Sequence, residues 1–242
     1  MKYLKPSNLV NKTPFFKSCL SKIYKYDNLI VKKSLKTNLP FSNEHNILKN
    51  INNKNIIKLL DYFEDENYNY IVLPYYPYGD LYYNIYNRRI NTDNNNFLKD
   101  LINPIEYLHN NNIVHLDLKL ENYLVNYNEN KDIELILFDF NLSHNHNINY
   151  YDFIDTNFIY GTSDFLSPEM KDYKFSKSSD IYSLGCMLYM LYSRTIYEND
   201  INFYLLKKNK TPDNIISLIT DCVNKDSLKR PTIFDIKHYY LT

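Results

Sequence analysis

Residues 113 to 125, IVHLDLKLENYLV, set His115, Asp117, Lys119, Glu121 and Asn122 into a run that otherwise reads as buried strand. Ionised groups leave water only when they are paired, hydrogen-bonded or bound to metal. The strand-like IV at 113–114 and YLV at 123–125 therefore flank a loop, HLDLKLEN, that either surfaces or does chemistry.

That loop resembles the catalytic loop of protein kinases, H-R-D-L-K-x-x-N. The resemblance implies phosphoryl transfer, with Asp117 accepting the proton of the attacking hydroxyl, Lys119 neutralising the moving phosphoryl group and Asn122 holding a metal ion. Seventeen residues beyond Asn122, ELILFDFN ends in Asp139-Phe140-Asn141, where the family carries D-F-G. The family's aspartate there grips the magnesium ion that bridges the phosphates. GTSDFLSPE follows, with Gly161, Thr162 and then Ser167-Pro168-Glu169 in the place of A-P-E. SSDIYSLG puts Asp180 at the head of an apolar helix, and KRPT places Arg230 near the C-terminus. By resemblance Glu169 pairs with Arg230, and Asp180 tethers the catalytic loop. As isolated charges each would read as a surface residue; the ordered set changes that.

The first third of the chain carries the corresponding nucleotide residues. In LIVKKSL the register of V-A-I-K favours Lys32, with Ile30 on the same face of the strand against the adenine. Glu44, at the head of ILKNI, is implied as the ion-pair partner of Lys32. Leu73 takes the gatekeeper position and Pro74 to Tyr76 the hinge, so that Tyr75, Tyr76 and Leu124 line the nucleotide pocket and Asp80 reaches the ribose. The resemblance runs from about residue 9 to 240.

Three positions depart from the family pattern. NKTPFF, residues 11 to 16, stands where the family covers phosphate with G-x-G-x-x-G, and it has no glycine. Pro14 has no amide to donate, and side chains limit close approach, though Phe15 keeps an apolar tip. Asn141 replaces the glycine of D-F-G and is expected in or near the left-handed region, which asparagine enters at low cost. Leu116 replaces the arginine of H-R-D, which in the family receives a phosphate on the activation segment; leucine cannot. Control by phosphorylation of that segment is expected to be weak or absent.

The elements that must position these groups follow from apolar periodicity. SCLSKIY, NLIVKKSL, IIKLLDYF and YNYIVLPYY read as strands around one helix, FSNEHNILKNI, with Ser42 as its cap and Ile47, Leu48 and Ile51 as its apolar stripe. From about residue 80 the helical period dominates. Phe97, Leu101, Ile105 and Leu108 share a face, Pro104 should delay or kink that helix, SDIYSLGCMLYMLY is apolar nearly all round, and NIISLITDCV follows. The expectation is an α+β, two-lobed kinase fold in one domain, residues 1–242, with an N-lobe to about 74, a hinge at about 74–79 and a C-lobe from 80.

Composition narrows the partners. Lys+Arg and Asp+Glu are both 28, so no bulk field draws the chain to nucleic acid or an anionic membrane. No run reaches the ~18 apolar residues of a span, and the N-terminus lacks a signal-peptide core, so a cytoplasmic monomer is expected. Cys19, Cys186 and Cys222 read as buried free thiols, His144 and His146 as solvated loop side chains, and the asparagine clusters at 52–55, 94–96 and 110–112 as turns. With only three glycines in the chain, Gly79, Gly161 and Gly185 fall where the family also uses glycine. The resemblance implies a Ser/Thr protein kinase using ATP and Mg2+ on a protein substrate. The alternative is a pseudokinase, the same fold capturing another kinase or its substrate, which the missing glycines favour and the retained charged residues oppose.

Overall fold

The computed structural model describes residues 12–17, 21–36, 44–87, 90, 95–145, 154–156, 159 and 161–240. Five strands, β1 (Phe16–Lys17), β2 (Ser21–Tyr26), β3 (Leu29–Leu35), β4 (Asp61–Glu64) and β5 (Tyr68–Pro74), form an antiparallel sheet in the order β1-β2-β3-β5-β4. The β2–β3 hairpin turns on Asp27 and Asn28, with Asp27 at φ 47° as such tight turns require. Helix α1 (Glu44–Lys49) lies in the same lobe.

Strand register decides which lysine faces inward. Val31 stands opposite Tyr24 and Val72, and these side chains bury one another with Tyr70 on one face of the sheet. Lys32 stands opposite Ile23 and Ile71, so it belongs to the other face, where Ile71 and Leu73 share a core with Ile47 and Leu48 of α1. Lys33 returns to the first face and lies over the Tyr68 ring at 3.7 Å. The register favouring Lys32 thus matches the packing.

The larger lobe is helical: α2 (Leu81–Tyr86), α3 (Asn95–Asn110), α4 (Pro168–Lys171), α5 (Lys177–Ser193), α6 (Phe203–Lys208), α7 (Asp213–Cys222) and α8 (Ile233–Tyr239). Three short antiparallel pairs accompany them: β6 (Ile113–Val114) with β9 (His144–Asn145), β7 (Tyr123–Tyr127) with β8 (Ile133–Leu137), and β10 (Ile154–Asp155) with β11 (Lys174–Phe175). Helix α5 is buried along nearly its whole length, as its all-round apolar pattern requires, and a capping box from Ser176 and Ser179 starts it. Phe97, Leu101, Ile105 and Leu108 are all buried on α3. The α+β, two-lobed expectation holds.

Several local expectations are corrected. Only Asp61, Tyr62 and Phe63 of IIKLLDYF are strand, because its first residues bond elsewhere: Ile57 N donates to Leu137 O at 2.9 Å and Leu137 N to Asn55 O at 2.8 Å, and the chain rejoins the sheet where Leu60 N donates to Val72 O at 2.8 Å. That stretch stitches the small lobe to β8. Helix α3 runs through Pro104 and does not start late, and Asn95 and Asn96 belong to it and not to a turn. His144 is half-buried, stacked on Phe175 at 5.2 Å, and not solvated. Cys186 and Cys222 are buried free thiols, while Cys19, Ser42 and His146 lie outside the described residues.

Candidate active site

The groups converge where the two lobes meet. Lys32 Nζ lies 2.8 Å from Glu44 Oε2 and 2.8 Å from Asp139 Oδ1, joining β3, α1 and the segment after β8. Glu44 uses its other oxygen to accept from Phe140 N at 3.2 Å. Burial alone would push the Lys32 ammonium down, but the adjacent charges of Asp139 and Glu44 outweigh it and raise it above the ordinary lysine range. Burial lifts the Glu44 carboxyl above its usual range against the pull of Lys32. Asp139 ends below its usual range, because Lys32 overcomes burial there.

The loop HLDLKLEN is held from below by α5. Asp180, buried, accepts from His115 N and Leu116 N at 2.9 Å each, and its Oδ2 lies 3.0 Å from His109 Nε2. Burial also holds His115 below the usual histidine range, and its ring meets Phe140 edge-on at 5.0 Å. With its backbone fixed, the loop presents Asp117. Its Oδ2 lies 2.8 Å from Lys119 Nζ and accepts from Asn122 Nδ2 at 3.0 Å, while Oδ1 accepts the Thr162 hydroxyl at 2.8 Å. Lys119 in turn donates to Thr162 Oγ1 at 2.7 Å. Thr162 as a bridge between Asp117 and Lys119 was missed in the sequence, where it read as part of GTSDFLSPE; no local signal names a hydroxyl's partner 45 residues away.

The expected nucleotide-lining residues sit close together. Ile30 and Leu73 are cross-strand partners, and Leu73 is buried while Ile30, Tyr76 and Leu124 pack half-buried against the main core. Tyr75 is turned to Lys25, whose ammonium lies 3.7 Å from its ring. Asp80 forms a bridge pair with Leu124, but its carboxylate caps α2 by accepting from Tyr83 N at 2.7 Å. Asn141 is corrected: the positive φ falls on Asp139 (64°), and Asn141 does not take one. The backbone after β8 makes its turn one step earlier than the glycine position suggests.

Residues outside this cluster brace it. Arg230, 1% exposed, makes a bidentate pair with Glu169 at 2.7 and 2.8 Å and donates to Ser178 O at 2.9 Å. Gly161 takes φ 98°, and a Cβ there would stand 2.6 Å from Leu116 O, so only glycine lets these backbones meet. In the phosphate-loop region Phe15 is 66% exposed, and its amide donates to Ile23 O at 2.7 Å.

Asp139 and Asn122 supply a carboxylate and an amide oxygen, the hard donors magnesium takes, so the donor set fits that cation.

Comparison with known proteins is consistent with this geometry. The family model described as "Protein kinase domain" matches residues 21–241. The chain is 34% identical over 179 residues to "Calcium-dependent protein kinase 4" of Plasmodium berghei (strain Anka), covering 69% of this chain and 32% of that protein. It is 33% identical over 216 residues to "3-phosphoinositide-dependent protein kinase B" of Dictyostelium discoideum, covering 81% and 23% respectively. A third relative, "Probable serine/threonine-protein kinase samkB" of the same organism, is 36% identical over 163 residues, covering 60% and 25%. The chain spans about a third or less of the length of these relatives.

Proposed function

Because the chain belongs to the protein kinase family, we propose that it transfers the γ-phosphate of MgATP to a serine or threonine hydroxyl of a protein substrate. The observation that carries this reading is the Asp117 carboxylate. One oxygen is held by Lys119 and Asn122, and the other already accepts a hydroxyl at 2.8 Å, the contact a base must make to take a substrate proton. Lys119 stands beside it to offset negative charge on the moving phosphoryl group. Lys32, kept cationic by Glu44 and Asp139, is the group we assign to the phosphates of ATP. Asp139 and Asn122 would hold magnesium, which when bound neutralises charge between the phosphates. Ile30, Leu73, Tyr75, Tyr76 and Leu124 would enclose the adenine. Asp80 remains a ribose candidate only if it can release the amide it caps.

We assign the whole of residues 1–242 to one kinase domain with its hinge at about 74–79. Balanced charge supports a protein partner over nucleic acid. None of the described helices is long and apolar enough to cross a membrane. A cytoplasmic monomer is the form in which this activity is expected.

The glycine-free stretch at 11–16 favours a second reading, a pseudokinase that captures a partner. Thermal shift and radiolabelled transfer decide between them. MgATP at a hundredfold excess over Kd should stabilise the fold by about 2.7 kcal/mol, and ATP with EDTA by much less. Asp139→Asn should erase that difference, while Asp117→Asn should keep the MgATP shift and abolish transfer. No shift at millimolar MgATP, together with no transfer to a generic substrate or to itself, would establish the binding module instead.

A further inference from the structure

Resting on the kinase reading, we propose that Asn84 is a positioning residue for the nucleotide: its side-chain amide brackets the connector between β5 and α2 and so sets the affinity for MgATP. Asn84 is 3% exposed, on a helix whose Leu81 and Ile85 are buried in the main core. Its Nδ2 donates to Tyr78 O at 2.7 Å and to Asp80 O at 2.8 Å. Carbonyls only accept, so the group facing both of them is the amide nitrogen, with its two hydrogens spent.

The bracket closes beside the residues assigned to the adenine. Gly79 O, between the two bracketed carbonyls, accepts from Val125 N of β7 at 2.9 Å, and Asp80 pairs with Leu124 on the same strand. Three successive carbonyls are thus engaged, two by Asn84 and one by β7. Gly79 holds φ at 77°, and a Cβ there would meet nothing within 4 Å, so it is the backbone conformation and not space that asks for glycine. Tyr78 adds an edge-on contact to Tyr127, their ring centroids 4.7 Å apart. At its other end the connector is tied to the β2–β3 turn, where Tyr75 N donates to Asn28 O at 2.8 Å. Tyr75 and Tyr76 therefore lie between two anchors, and Leu124 is paired with the second. Asparagine is a weak helix former because its amide competes for backbone groups; at position 84 that competition is turned on the connector.

The test compares Asn84→Ala, Asn84→His and Gly79→Ala through MgADP Kd by calorimetry, transfer kinetics with casein, and hydrogen exchange over 123–127. Asn84→Ala removes both donors and should raise MgADP Kd and the KM for MgATP about fivefold or more, while kcat at saturating MgATP and the KM for casein stay within about twofold. Asn84→His retains one N–H and should recover most of the loss. Exchange protection at Val125, whose amide bonds Gly79, should fall in Asn84→Ala. A lower Tm with unchanged MgADP Kd, a kcat that falls in step with affinity, or a histidine variant no better than alanine would each overturn the proposal. Should Asn84→Ala fail to fold, Gly79→Ala strains the same bracketed turn and should raise MgADP Kd in its place; an unchanged Kd there would overturn the proposal as well. Wild type that binds MgADP but transfers no phosphate ends the kinase reading, and the Kd comparison then judges the bracket by itself. Wild type that binds no MgADP overturns the positioning claim.

Discussion

A lysine's chemistry depends on which face of a strand it occupies. Lys32 and Lys33 are adjacent and alike in sequence, yet one meets two carboxylates and the other a tyrosine ring. Lys32→Ala should therefore lower phosphate transfer by orders of magnitude, and Lys33→Ala should leave it within about threefold. Equal losses in a steady-state assay would mean that the inward face is misassigned. Asn141 gives a second residue-scale prediction. As its φ is ordinary, the stiff Val and the permissive Gly should serve equally well, so Asn141→Val and Asn141→Gly should differ in activity by less than about threefold. A selective loss in the valine variant would return the left-handed conformation to position 141.

Elements are locked to one another by a few buried devices. The Glu169–Arg230 pair ties α4 to the turn before α8, and Ser179 adds a hydrogen bond to Glu169 at 2.9 Å. Burial by itself would raise the Glu169 carboxyl, but the Arg230 hydrogen bonds and charge hold it below the usual range. A carboxylate depressed by folding adds stability that is fully present above the unfolded pKa of about 4.3 and is lost as pH falls through the folded value. Glu169→Gln should thus lower Tm at pH 7 and flatten its fall at acid pH. Arg230→Met should cost about 3 kcal/mol or more in chemical denaturation, because it leaves Glu169 half-buried without its partner. Where α5 crosses α7, a Cβ on Gly185 would stand 2.7 Å from both Cys222 Cβ and Val223 Cγ1. Gly185→Ala should separate the two helices at a cost of about 1–3 kcal/mol; an unchanged denaturation midpoint would show that the contact gives way freely.

At the scale of the molecule, the two lobes share one core. Ile47 and Leu48 of α1 and Ile71 and Leu73 of β5 belong to the same buried cluster as the apolar faces of α3, α5 and α7. The Lys32–Asp139 pair and the backbone bonds between 55–57 and Leu137 cross the same boundary. Calorimetry should therefore find one cooperative unfolding transition, and MgATP should move the whole of it upward. Two separate transitions, of which only one responds to MgATP, would show lobes that fold independently.

The family was legible in the sequence, because Asp117, Lys119, Asn122 and Asp139 are short-range signals: polar groups at fixed spacing in apolar frames. Helix α5 was equally plain, since an all-round apolar run has to be central. Strand register was partly legible, and the resemblance of LIVKKSL to V-A-I-K was enough to favour Lys32. Contacts between distant segments were not. Thr162 reaches Asp117 across 45 positions, Asp80 spends its carboxylate on a helix cap, and the backbone of Asn55 and Ile57 bonds Leu137 instead of the sheet. Leu116 in sequence was only a missing arginine. In the fold it became the centre of an apolar joint, because burial depends on which other segments arrive at a residue, and that is decided by the whole chain at once.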